Sequence, residues 1–245
     1  LKLDPSDPLG VLYLIDTYAV RARQYDFLIE LTYSKMFQDR SLSYLPNFAM
    51  HVALAKFYLE KEGEEVRPAL HELQCNNTLD FKGNTNNNAL NKKNLRASLN
   101  KLLSSSELLQ NALMLFPMIL PPMLKKMSIN SLMHREADGT SSDVMLHGYF
   151  TSPPFVPPAV QYLSALFVER NAALWRDPDV VTWLKENAIK TKVRAESQDP
   201  MVENCAVILR EEHETVAPNV YRHILLTGTH HTLPYRINDT CHVNF

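Results

Sequence analysis

At 245 residues, with 45% apolar and 21% charged side chains, the chain has the composition of a globular protein able to bury a core. A formal charge of −2 and a pI near 6.5 exclude a whole-domain basic surface that holds nucleic acid by counterion release, so any RNA contact has to be local. Six glycines against 15 prolines favour helices broken at their ends, and no run reaches the roughly 18–20 apolar residues that span a bilayer, because Leu108–Leu124 is interrupted by Gln110, Asn111 and three prolines.

In chain order, Leu1-Lys2-Leu3-Asp4-Pro5 reads as the tail of a helix lying upstream, so the chain is expected to be a piece of a longer one. Asp4-Pro5 and Asp7-Pro8 lead into a predicted helix over 9–22 with Leu12, Ile15 and Ala19 on one side. A second, over 24–37, carries Tyr25, Leu28, Ile29, Thr32 and Met36 at helical spacing, which predicts a helical hairpin over 4–37. Pro46 opens a helix whose apolar stripe is Phe48, Val52, Ala55 and Leu59, and a further short helix is expected from Pro68. Between Asn76 and Asn100 nine of 25 residues are asparagine, a composition too polar to offset its ordering entropy, so residues 75–93 are expected to form a disordered insertion. Its lysines offer RNA a local contact, against the simpler reading of a solvated loop.

Leu95, Leu99, Leu102, Leu109, Leu113 and Phe116 then predict a helix that stops at Pro117 and pairs with the 46–60 helix. A short helix over 122–127 follows, and residues 130–156 show no period and read as a long loop whose tip, His147–Phe150, lies against the protein. Val156–Ala188 reads as two helices joined by almost nothing: Val160, Leu163, Phe167 and Leu174 share a face, and Asp177-Pro178-Asp179 caps and opens the second helix. So short a join predicts antiparallel neighbours with Trp175 and Trp183 filling the seam. Asp199-Pro200 starts another helix along Val202, Cys205, Ala206 and Leu209; Pro218 opens a last one through Val220 and Ile224; residues 228–245 are expected to be a poorly ordered tail. The expected fold is all-α: a single domain of stacked antiparallel helical hairpins, a degenerate tetratricopeptide-like α-solenoid without the strict 34-residue period or its Trp-Leu-Gly signature.

Catalytic arrangements are sparse. The chain has no glycine-rich phosphate loop, no Gly-x-Ser-x-Gly elbow and no His-Glu-x-x-His helix, so no catalytic, cofactor or metal residues are assigned. The best metal-like group is His230, His231, Cys241 and His242, whose spacing fits no recognised zinc pattern. Cys75, Cys205 and Cys241 are odd in number and far apart, which gives no disulfide framework. His51 and His71 read as partly buried or surface histidines, and Glu211–Glu214 as a solvated helix end. A binding role is assigned instead to Tyr221, Arg222 and His223: Val220 and Ile224 are spaced to anchor their helix, which turns Arg222 toward solvent.

Several segments together resemble one family. Asp7-Pro-Leu-Gly-Val-Leu-Tyr-Leu-Ile-Asp16, Ala19–Arg23 and Tyr25–Ile29 are similar to a stretch of the transcription factor twenty-five family, also called ribosome quality control complex subunit one. Leu45–Ala49 with Ala53–Ala55, Ala112–Pro117, Leu174–Pro178 with Thr182–Asn187, and Ala217–Ile224 resemble its later motifs in the same order. The chain departs from the family in its asparagine-rich insertion, and as a piece of a longer chain it is not expected to include the basic N-terminal region of full-length members. The resemblance implies a non-enzymatic subunit acting with the ubiquitin ligase Listerin, and with the valosin-containing AAA ATPase, on stalled nascent chains of the large ribosomal subunit. Other quality control subunits and ubiquitin are the further partners it implies, with no small-molecule substrate and no membrane. The older family description, a nuclear transcriptional repressor, is the alternative; cytoplasmic and nuclear locations go with the two. An enzyme and a helical-repeat RNA reader are the competing classes, and the latter lacks the repeated base-contacting positions it needs.

Overall fold

The computed structural model describes Asp7 and residues 10–62, 103–136, 139–153 and 156–213. Among them the helices are α1 (Ile15–Arg21), α2 (Tyr25–Leu31), α3 (Lys35–Asp39), α4 (Pro46–Lys61), α5 (Ser105–Leu115), α6 (Leu120–Lys126), α7 (Gly148–Thr151), α8 (Pro158–Asn171), α9 (Pro178–Glu196) and α10 (Pro200–His213). The protein is predominantly helical. Two short strands, β1 (Met133–Arg135) and β2 (Ser141–Asp143), pair antiparallel with Met133 opposite Asp143.

The core is organised on α4. One apolar stripe was expected on it, but Met50, Ala53 and Leu54, off that stripe, are also wholly buried. A helix apolar on all sides belongs in the middle. Around it lie α1, α2, α5 and α8, so the expected pairing of α4 with α5 holds. Each fully buried Leu, Met or Phe on α4 contributes about 1.5–3 kcal/mol of hydrophobic stabilisation. The run Ser105–Lys126 bends by 94° after Leu115, and no single helix among the described residues is long and apolar enough to cross a membrane.

Several expectations need correction, each for a local reason. The helix expected over 24–37 is broken at Thr32–Ser34. Thr32 Oγ1 and Ser34 Oγ donate to the carbonyls of Ile29 and Leu31, both at 2.7 Å, and Ser34 Oγ accepts from Phe37 N, which caps a new helix. At Ser104 a capping box with Glu107 starts α5, so the stripe seen from Leu95 onward is not one continuous helix through that serine. The loop expected over 130–156 contains β1, β2, a 3-10 turn and α7. Met-His-Arg and Ser-Ser-Asp carry no strand signal. The ribbon is fixed instead by Asp143, whose carboxylate accepts from Leu132 N and Met145 N. Burial raises its pKa, but these bonds outweigh it and hold the carboxyl below its ordinary range.

The 156–188 stretch departs furthest. After Asn171 the chain tightens into a 3-10 turn, Ala172–Trp175, before Asp177 caps α9. The turn reorients the chain, and α8 and α9 are not packed along each other as a hairpin: α8 lies on α4 and the 3-10 turn before α6, whereas α9 lies on α5. The tryptophans do fill the space between. Trp175 is wholly buried and Trp183 is 7% exposed. Their rings stack at 6.1 Å, and Trp183 stacks at 4.5 Å on Phe57 of α4.

Three helices end in the same way with an unusual residue. Arg23, Ser128 and Gln198 adopt left-handed φ of 54°, 66° and 55° just beyond α1, α6 and α9. In each, the next residue donates back to the third-last residue of its helix, as in Gln24 N to Ala19 O and Asp199 N to Arg194 O. This turn normally carries glycine, because a Cβ is strained there. The exposed Gln198→Gly change is therefore expected to stabilise the fold by about 0.5–1 kcal/mol, read as a higher denaturation midpoint. An unchanged or lower midpoint would show that the Gln198 side chain contributes a contact of its own.

Candidate functional site

Asp16 of α1 and His51 of α4 form a pair at the centre of the molecule. Asp16 Oδ2 lies 2.6 Å from His51 Nδ1, and both side chains are 0% exposed. The imidazole meets Phe167 of α8 edge-on at 5.2 Å, and Asn47, one turn earlier on α4, donates to the Tyr13 carbonyl at 3.2 Å. A carboxylate holding one imidazole nitrogen is half of an acid–base relay. Here the ring is enclosed by core side chains, and Nε2 has no hydrogen-bond partner among the described residues. The pair acts as a buried strut between α1 and α4. This corrects the expectation of a partly buried or surface histidine at position 51.

A polar ladder runs along the contact of α5 with α9. Trp183 Nε1 donates to Ser106 Oγ at 3.2 Å, and Asn187 Nδ2 donates to the Trp183 carbonyl at 2.8 Å. Gln110 Nε2 donates to Asn187 Oδ1 at 2.9 Å, and Arg194 donates to both Gln110 Oε1 and Asp199 Oδ2. These bonds fix the roll of α9 on α5 and the start of α10. Beside the ladder lies a groove of about 460 Å³, lined by Phe48, Val52, Leu108, Arg194, Met201 and Ile208 among others. Its lining is mainly apolar, with Glu107, Asn111, Arg194 and Asn204 as polar members, the character of a pocket that takes up apolar groups. The sequence missed it because its walls come from segments distant in the chain.

A second node pins the ribbon. Lys192 of α9, its side chain 3% exposed, donates to Glu136 at 2.6 Å and Glu196 at 2.8 Å, and His147 Nε2 lies 3.4 Å from Glu196. Burial works against the lysine's charge, but the two carboxylates outweigh it and raise its pKa.

Tyr221, Arg222 and His223 lie outside the described residues, as do the 75–93 insertion, the 228–245 tail and the His230, His231, Cys241 and His242 group. Among the described residues no group of three or more His, Cys, Asp or Glu is placed to hold a metal ion. His213, read as part of a solvated helix end, is instead 4% exposed, with Nε2 3.0 Å from the Tyr44 carbonyl. Burial pushes its pKa below the ordinary 6.5 despite that carbonyl. The unfolded chain therefore takes up this proton first, and stability falls as pH drops below about 6.5. A His213→Gln variant is expected to lose less stability than the parent between about pH 7.5 and 5.5, measured by urea titration. Equal losses in the two would remove His213 from the acid response.

The sequence matches a family model described as "Transcriptional repressor TCF25" over residues 1–242. The chain belongs to this family. Curated relatives include proteins named "Ribosome quality control complex subunit TCF25": from Dictyostelium discoideum, 32% identical over 232 residues, from Mus musculus, 32% over 230, and from Homo sapiens, 31% over 230. Each alignment covers 93% of this chain and 28% of the relative, so the chain spans little more than a quarter of the proteins it matches. No solved structure matches it. Family membership agrees with the resemblance carried by Asp7–Asp16, Ala112–Pro117 and Leu174–Pro178.

Proposed function

We propose that this chain is a non-enzymatic helical adaptor of ribosome-associated quality control, working with the ubiquitin ligase Listerin on nascent chains stalled on the large ribosomal subunit. The observation that carries the reading is the shared name of relatives about one-third identical along 93% of the chain. The enclosed Asp16–His51 pair and the apolar groove beside α10 support a surface that binds rather than a cleft that reacts. A tetratricopeptide-like stack of helical hairpins is the scaffold this role would use. Tyr221, Arg222 and His223 are proposed as partner contacts on it, with Tyr and Arg as the side chains that most often dominate binding.

The test is a Tyr221→Ala, Arg222→Glu double variant, assayed for melting temperature and for co-purification with Listerin and large ribosomal subunits from cells. Unchanged melting with lost recovery is the expected result. Full recovery by the folded variant sinks the assignment of these residues, and a parent protein that recovers neither partner sinks the adaptor role. The family description favours a second reading, in which the same kind of contact serves transcriptional repression in the nucleus. Recovery of promoter-bound proteins in place of ribosomal subunits would establish it.

A further inference from the structure

We propose that the surface formed by Lys125, Lys126 and Arg176 binds the phosphate backbone of RNA. The fold brings these cations together from segments far apart in the chain. Lys125 and Lys126 end α6, and Arg176 sits in the join before α9, with its Nη2 donating to the Lys126 carbonyl at 3.2 Å. Lys126 Nζ pairs with Glu169 in the last turn of α8, and Arg170 follows that glutamate. Lys125 and Arg176 are exposed. The surface therefore brings Lys125, Lys126 and Arg176 together beside Glu169, while the carboxylate of Asp177, next to Arg176, is engaged by Asp179 N and the Tyr58 hydroxyl, in a chain whose formal charge is −2. Basic residues in a last turn also suit the helix dipole, which accounts for the lysines of α6 as local stabilisers. That role leaves Arg176 with most of its five N–H donors uncommitted by its bond to Lys126.

The choice of RNA over a protein partner follows from what accompanies the charge. Protein hot spots are built on apolar or aromatic anchors. None of the large exposed apolar side chains among the described residues belongs to α6, α8 or the 172–176 join. Charge without an anchor is what a phosphate backbone requires. The inference deepens the proposed function, on which it rests only for the source of the RNA: a ribosomal surface offers such a backbone.

The test measures binding of a labelled single-stranded RNA of about 20 nucleotides to the 245-residue chain by fluorescence anisotropy. With about three phosphates neutralised, affinity is expected to fall about 15–20-fold between about 50 and 200 mM salt. Lys125→Glu with Arg176→Glu is expected to weaken binding at least tenfold at the lower salt, while Lys35→Glu with Lys190→Glu, the same charge change elsewhere, leaves most of it. Should the first pair lower the melting temperature, Lys125→Gln with Arg176→Gln takes its place, with a smaller loss in the same direction. Parent-like affinity in the surface variants, or an equal loss in the control, overturns the inference. So does a polyglutamate peptide of similar length binding as tightly as RNA, which would reassign the surface to an acidic protein. A parent that binds RNA through this surface yet recovers no ribosomal subunits from cells supports the inference while sinking the adaptor role. Recovery of subunits by a parent whose surface variants bind RNA undiminished does the reverse.

Discussion

Replacing His51 with alanine is expected to destabilise the protein by about 3–5 kcal/mol, because it strands Asp16 in the core without its partner. Neither group has another way out: both are wholly buried, and Asp16 Oδ1 has no further hydrogen-bond partner among the described residues. A paired change, Asp16→Leu with His51→Leu, removes both polar groups and is expected to restore most of that loss, since apolar side chains of similar volume often replace a buried pair at little cost. Chemical denaturation of the two variants and the parent checks this. A double variant no more stable than His51→Ala would mean that the pair specifies how α1 seats on α4 rather than being tolerated there.

Trp183→Ala is expected to cost about 3–5 kcal/mol. The indole is sandwiched between Phe57 and Trp175, and its N–H is the first rung of the ladder to Ser106, Asn187 and Gln110. Truncation opens a cavity where α4, α5 and α9 meet and leaves Ser106 short of a donor. In a chain of this size each kcal/mol shifts Tm by about 2–4 °C, so the melting point should fall by about 6–20 °C. Melting within a degree or two of the parent would show that the stack carries no packing energy.

The helices were legible in the sequence where a start signal and an apolar period agreed: Pro46, Pro158, Asp177-Pro178 and Asp199-Pro200 all open helices in the structure. How helices meet was less legible. Periodicity finds a face but does not say what covers it, and a four-residue 3-10 turn was enough to send α9 to α5 rather than back along α8. Of the candidate site, the buried pair had left a trace: Asp16 falls on the arc of Leu12 and Ala19, and His51 beside that of Phe48 and Ala55. A charged or polar residue on each of two apolar faces expected in one core signals a pair. The groove and the Lys125–Arg176 surface left none, because each is assembled by tertiary contact alone.

The position of α4 also sets an order of events during synthesis. Its apolar surface is shared out among α1, α2, α5 and α8, and the Phe167 side chain that meets His51 belongs to the last of these. When Lys61 has just been added to the chain, residues 62–157 have still to be translated before α8 begins. At about 5–20 residues per second that is a delay of about 5–20 s. The helix that forms the centre of the finished protein therefore waits, covered first by α1 and α2 and then also by α5, and the nascent chain passes through a stage in which part of this apolar helix is open to chaperones or to other copies of itself.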